Sequence, residues 1–177
     1  IVRGYCQLST QRIDQAITSL QKAYGLDPQK PEIQYFLGQA YVLSEDYRNA
    51  ITYYEYALLN GFVGEAEVRL LIGDAALRSD QPQIALEQYN VLLAMDEASI
   101  AVYQGLIETY MSLGQLEKAR SAAKDVVDLY PERGEAHQLL GLVSLHMERE
   151  DEARIALKKA LELNPYLPEA QELLRSL

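Results

Sequence analysis

The sequence predicts an all-α fold, an α-α superhelix in which antiparallel helix pairs stack one upon the next, and three observations carry that prediction. Alanine returns at Ala16, Ala50, Ala85, Ala119 and Ala153, with spacings of 34, 35, 34 and 34 residues. If alanine fills roughly one position in ten, four such returns have a chance of about 10⁻⁴. Apolar or small residues follow each alanine at i+4 and i+7, which is one face of a helix, and no stretch sustains the two-residue alternation of a strand.

That face belongs to the second helix of each unit. It carries Leu20 and Ala23, then Tyr54 and Ala57, Tyr89 and Leu92, Ala123 and Val126, and finally Leu157 and Ala160. Twelve residues ahead of the alanines a glycine column marks the first helix, with Gly4, Gly38, Gly73 and Gly141, broken once by Ile107. Leu37, Ile72, Leu106 and Leu140 stand just before it. Glycine inside a helix costs about 1 kcal/mol relative to alanine, so its recurrence calls for close helix approach. The expected pairings are Gly38 with Ala50, Gly73 with Ala85 and Gly141 with Ala153. Pro28, Pro131 and Pro165 form a later column, interrupted by Phe62 and Glu97, where one helix ends and the next begins. Each unit thus reads as two helices of about a dozen residues, as at 32 to 44 and 48 to 60.

At these columns the chain resembles the tetratricopeptide repeat family, whose 34-residue unit carries W-x2-L-G-x2-Y, then A-x3-F, A and P. The best-fitting unit has His137, Leu140, Gly141, Ser144, Ala153, Leu157, Ala160 and Pro165 at those positions. The unit before it has Tyr103, Leu106, Tyr110, Gly114, Ala119 and Pro131. The resemblance implies a single array over 1–177, with units at 1–30, 31–65, 66–99, 100–133 and 134–167 and a further helix in 168–177. The pattern is incomplete at the fourth position, aromatic only as Tyr103 and otherwise Gln34, Arg69 or His137. The turn glycine survives as Gly114, with Glu45, Asp80 and Glu148 at the other turns, which are therefore strained or differently shaped. One extra residue near Gly61, Phe62 and Gly64 predicts a local irregularity or an altered rotation of the helix pair. The first unit starts about four residues late, which reads as a trimmed fragment of a longer chain. Ala170, Leu173, Leu174 and Leu177 share one face of the last helix, which suits a terminal cap and equally a truncated sixth unit.

Composition narrows the function. With 49% hydrophobic residues in 177, the chain can bury a core, and no run approaches the ~18 apolar residues of a membrane span. Sixteen Lys and Arg against 26 Asp and Glu leave a net charge of −10, which repels nucleic acid and anionic lipid and favours a basic protein partner. No signal peptide or initiating Met is visible, and cytoplasmic and periplasmic locations both stay open. A lone cysteine, Cys6, excludes a disulfide framework and a multi-thiolate zinc site. It shares a column with Ala40, Ala75, Thr109 and Val143, which predicts burial. His137 and His146 lie nine residues apart on one helix, half a turn out of phase and about 13 Å apart, too far to share a metal. Glu148, Glu150, Asp151 and Glu152 lack calcium-loop spacing and read as a solvated helix start. Tyr41, Tyr54, Tyr89 and Tyr110 read as core. No nucleophile constellation or phosphate loop is present, so the expectation is a non-enzymatic protein without cofactor or metal.

In the resembled family, positions 2, 5, 9, 12 and 13 of each unit face a concave groove. Carried over, these are Glu32, Tyr35, Gln39, Val42 and Leu43, then Glu67, Leu70, Asp74, Leu77 and Arg78. The following units add Gln104, Glu108, Met111 and Ser112, then Glu135, Gln138, Leu142, Leu145 and His146, with Tyr5 and Leu8 at the N-terminal end. The set reads either as solvated decoration or as a docking groove. In the second reading, exposed Tyr35, Leu70, Leu77, Met111 and Leu145 supply apolar anchors and the acids attract a basic peptide or helix. The Lys and Asn clamp for acidic chaperone tails is missing, because Tyr35, Gln39, Leu71, Ala101 and Gly105 stand at its places. A protein-interaction scaffold within a multiprotein assembly is expected. The alternatives are a substrate-positioning or regulatory arm of an enzyme, and self-association through an end helix.

Overall fold

The computed structural model describes residues 12–177. Among them every regular element is a helix. The chain divides into two compact units, one ending at Met95 and one starting at Asp96. The first holds α1 (Ile13–Leu26), α2 (Pro31–Leu43), α3 (Tyr47–Leu59), α4 (Glu65–Arg78) and α5 (Pro82–Ala94). The second holds α6 (Ile100–Ser112), α7 (Leu116–Leu129), α8 (Gly134–His146), α9 (Glu150–Leu163) and α10 (Pro168–Arg175).

Local chemistry sets several helix starts. Pro31, Pro82 and Pro168 occupy the first turn, where a missing N–H is harmless. Asp46 caps α3 by accepting from the Asn49 backbone N–H, and Ser99 caps α6 by accepting from that of Val102. The turns inside the units share one geometry. Glu45, Asp80, Gly114 and Glu148 all take positive φ, between 57° and 69°. At each, the turn residue bonds back to the carbonyl three earlier and the next residue to the carbonyl five earlier, as in Asp46 to Tyr41 and Arg149 to Ser144. This is the Schellman ending, which satisfies the last helical carbonyls. The non-glycine turns therefore keep the shape and bear the strain.

Within each unit, consecutive helices pack antiparallel around a column of alanines. Ala16, Ala50, Ala85, Ala119 and Ala153 are all fully buried, as are Leu20, Tyr89, Ala123 and Leu157. Tyr54 is buried too, whereas Tyr41 and Tyr110, expected in the core, are only half-buried. The glycine column does not meet the alanines as expected. A Cβ on Gly38 would lie 2.5 Å from the Tyr54 ring, one on Gly73 2.8 Å from the Tyr89 ring, and one on Gly141 2.6 Å from Leu157. The partner is the residue four after each alanine, and the missing side chain is the hole that receives a large one. Where the column holds Ile107 the facing column holds Ala123, so bulk changes sides and total volume is kept.

Links between repeats use the unusual fourth position. The Nε2 of Gln34 donates to the Pro28 carbonyl at 2.6 Å, His137 Nε2 lies 2.8 Å from that of Pro131, and Gln171 Nε2 donates to that of Pro165 at 2.7 Å. The last of these gives α10 the same link as a first helix. Ala170 is buried and Leu173, Leu174 and Leu177 pack with Leu157 and Ala160 of α9.

Candidate functional site

In the first unit the extra residue falls between α3 and α4, where Gly61 and Gly64 both take left-handed backbone, φ 80° and 112°. That double bend is the local irregularity expected there. It turns Phe62 onto the Tyr35 ring, centroids 4.4 Å apart and planes 11° from parallel. Tyr35 is thereby 8% exposed and is not the accessible anchor its position suggested. Its hydroxyl donates to Glu67 Oε1 at 2.6 Å and accepts from Gln39 Nε2 at 2.9 Å, tying α2 to α4. Glu32, Glu67, Asp74 and Arg78 are exposed on these two helices, and Val42, Leu70 and Leu77 are half-buried among them. Asp74 accepts from the buried Tyr89 hydroxyl at 2.7 Å. Arg78 lies 5.7 Å from the Tyr47 ring centroid, and Leu43 is 51% exposed at the end of α2.

The second unit repeats the link three repeats further along the chain. Gln138 Nε2 donates to Glu169 Oε2 at 2.6 Å, tying α8 to α10 through the same two positions that join Tyr35 to Glu67. Gln104 donates to Glu108 at 2.9 Å along α6. Glu135 accepts from Asn164, and its carboxyl is held below the ordinary range by its own backbone N–H and by Arg133 3.3 Å away. Met111 and Leu142 are half-buried, Ser112 and His146 exposed. Leu145 packs into the cluster of α9 and α10, so it too is not the exposed anchor expected. Tyr5, Leu8 and Cys6 lie outside the described residues.

The most exposed large apolar side chains are elsewhere, at Leu26, Leu59, Val63 and Tyr166, and on the second helices at Leu129 and Ile155. Two contributors to the α2–α4 surface, Phe62 and Tyr47, were not anticipated. Phe62 registered in the sequence as a break in the proline column and as a neighbour of the extra residue, and the partner ring across the repeat was invisible. Among the described residues no helix is long and apolar enough to cross a membrane, and no group of three metal-binding side chains converges.

The Tetratricopeptide repeat family model matches residues 37–100 and 105–168, and a TPR repeat model matches residues 5–45. The chain belongs to the tetratricopeptide repeat family. Tetratricopeptide folds are protein-interaction scaffolds and are generally non-catalytic. Among solved structures, MamA residues 41 to the end, from Desulfovibrio magneticus RS-1, is 25% identical with a TM-score of 0.80, covering 93% of each chain. Another MamA structure is 26% identical with a TM-score of 0.79, covering 92% of this chain and 94% of that one. YrrB, described as a TPR protein with an unusual peptide-binding site, is 22% identical with a TM-score of 0.76, covering 98% and 89%. The YrrB likeness speaks to the fold alone.

Proposed function

We propose that the first helices of each unit form a docking face for a peptide or helix of a partner protein, and that the partner is basic with apolar anchors. The observation that carries this reading is the Tyr35 to Glu67 hydrogen bond. It fixes α2 beside α4, so that half-buried Leu70 and Leu77 sit among Glu32, Glu67 and Asp74, three carboxylates against the single guanidinium of Arg78. Apolar side chains set in an acidic rim suit a ligand that buries Leu- or Phe-like groups while its Lys or Arg meets the rim. In the second unit Met111 and Leu142, with Glu108, supply the same chemistry.

The geometry also chooses the variants for a test. Glu67 and Asp74 hold the hydroxyls of Tyr35 and Tyr89, so reversing their charge would disturb packing. Glu32→Lys and Leu77→Ala avoid both bonds. A partner co-purified from native lysate with the wild type should be lost with the double variant and retained with Ile155→Ser. Retention by the first and loss by the second would reject the first-helix face.

A further inference from the structure

The link between α3 and α4 does more than seat Phe62. Beside it lies a cleft of about 520 Å³, lined by residues of α3, the link, α4 and α5. Leu59 and Val63 stand at it 82% and 92% exposed, although both are large and apolar. Buried Ile72 and half-buried Leu58 continue the apolar lining. The polar part is unbalanced. Arg69 is already matched, by Glu65 at 2.7 Å and by Gln88 at 2.9 Å. Glu55 is not: desolvation and then the charge of Glu87 push its carboxyl above the ordinary range, and no described cation offsets them. A site of this size, with apolar walls and an acidic edge, is within the range of ligand clefts.

We propose that this cleft is a second docking site, distinct from the first-helix face, for a partner segment bearing a large apolar side chain next to a lysine or arginine. The apolar group covers Leu59 and Val63, and the cation answers the Glu55 carboxylate at the edge of the cleft. Such a segment removes exposed hydrocarbon from water and brings a cation to the Glu55 carboxylate together, which an acidic or purely polar segment cannot do.

The test is to pan a random dodecapeptide library against the full chain and titrate the enriched peptides by fluorescence anisotropy. Three variants are compared after circular dichroism confirms unchanged helicity: Glu55→Lys, Leu59→Ser and, on the other face, Leu77→Ala. The expected peptides carry Leu, Ile or Phe within a helical turn of Lys or Arg. Their Kd should rise about tenfold or more with Glu55→Lys and Leu59→Ser and stay unchanged with Leu77→Ala. Enrichment of acidic peptides, no enrichment, or sensitivity to Leu77→Ala alone would overturn the proposal. So would a concentration-dependent dimer in light scattering that Leu59→Ser abolishes, which would make a second copy the occupant.

Discussion

At the scale of single residues, the core is a set of holes and knobs. Gly38, Gly73 and Gly141 each leave room for a side chain that a single methyl would strike at 2.5 to 2.8 Å. Gly38→Ala should therefore lower stability by about 1–2 kcal/mol, the overpacking cost exceeding the gain in helix propensity, as a shift of the urea midpoint would show. The exchanged pair gives the converse. Ile107→Ala should cost about 2–4 kcal/mol, and Ala123→Leu in that background should recover part of it, because the deficit is one of volume. The sequence showed both columns but not which members meet, since the offset of four residues between glycine and knob depends on helix crossing and not on periodicity. Glu55 supplies a pH test. Its carboxyl binds a proton more tightly in the folded chain than unfolded, so its contribution to stability falls as pH rises from the ordinary carboxylate range through the raised value. Glu55→Gln should melt above the wild type at neutral pH, and the gap should close in acid.

At the scale of elements, the turns carry avoidable strain. Glu45, Asp80 and Glu148 adopt the left-handed backbone that Gly114 adopts without a Cβ penalty. Glu148→Gly and Glu45→Gly should each stabilise by about 1 kcal/mol and Gly114→Ala should destabilise by a similar amount, measured by chemical denaturation. The helices themselves were legible because alanine, glycine and proline columns mark their faces and ends. The turn geometry was left open because its determinant is the pair of backbone bonds closing each helix, which tolerate several side chains. The link between repeats was hidden for a related reason: Gln34, His137 and Gln171 are not all one residue type, and what they share is a side-chain nitrogen that reaches the equivalent proline carbonyl.

At the scale of the whole molecule, repeat class and fold follow from the period, whereas the surface follows from bonds that cross it. The family positions placed Tyr35, Gln138 and Leu145 at a binding face. Tyr35 and Gln138 bond to the neighbouring first helix, and Leu145 packs beneath α10. Those contacts join residues about thirty apart and leave no periodic trace. Leu70 and Leu77 in the first unit, and Met111 in the second, stay partly accessible on their own first helices. The most direct test of the proposed docking by first helices replaces Leu77, Met111, Leu129 or Ile155, one at a time, with a photo-crosslinking phenylalanine derivative. The account predicts that one basic protein cross-links from Leu77 and Met111 and not from Leu129 or Ile155. Cross-linking confined to Leu129 and Ile155 would contradict it.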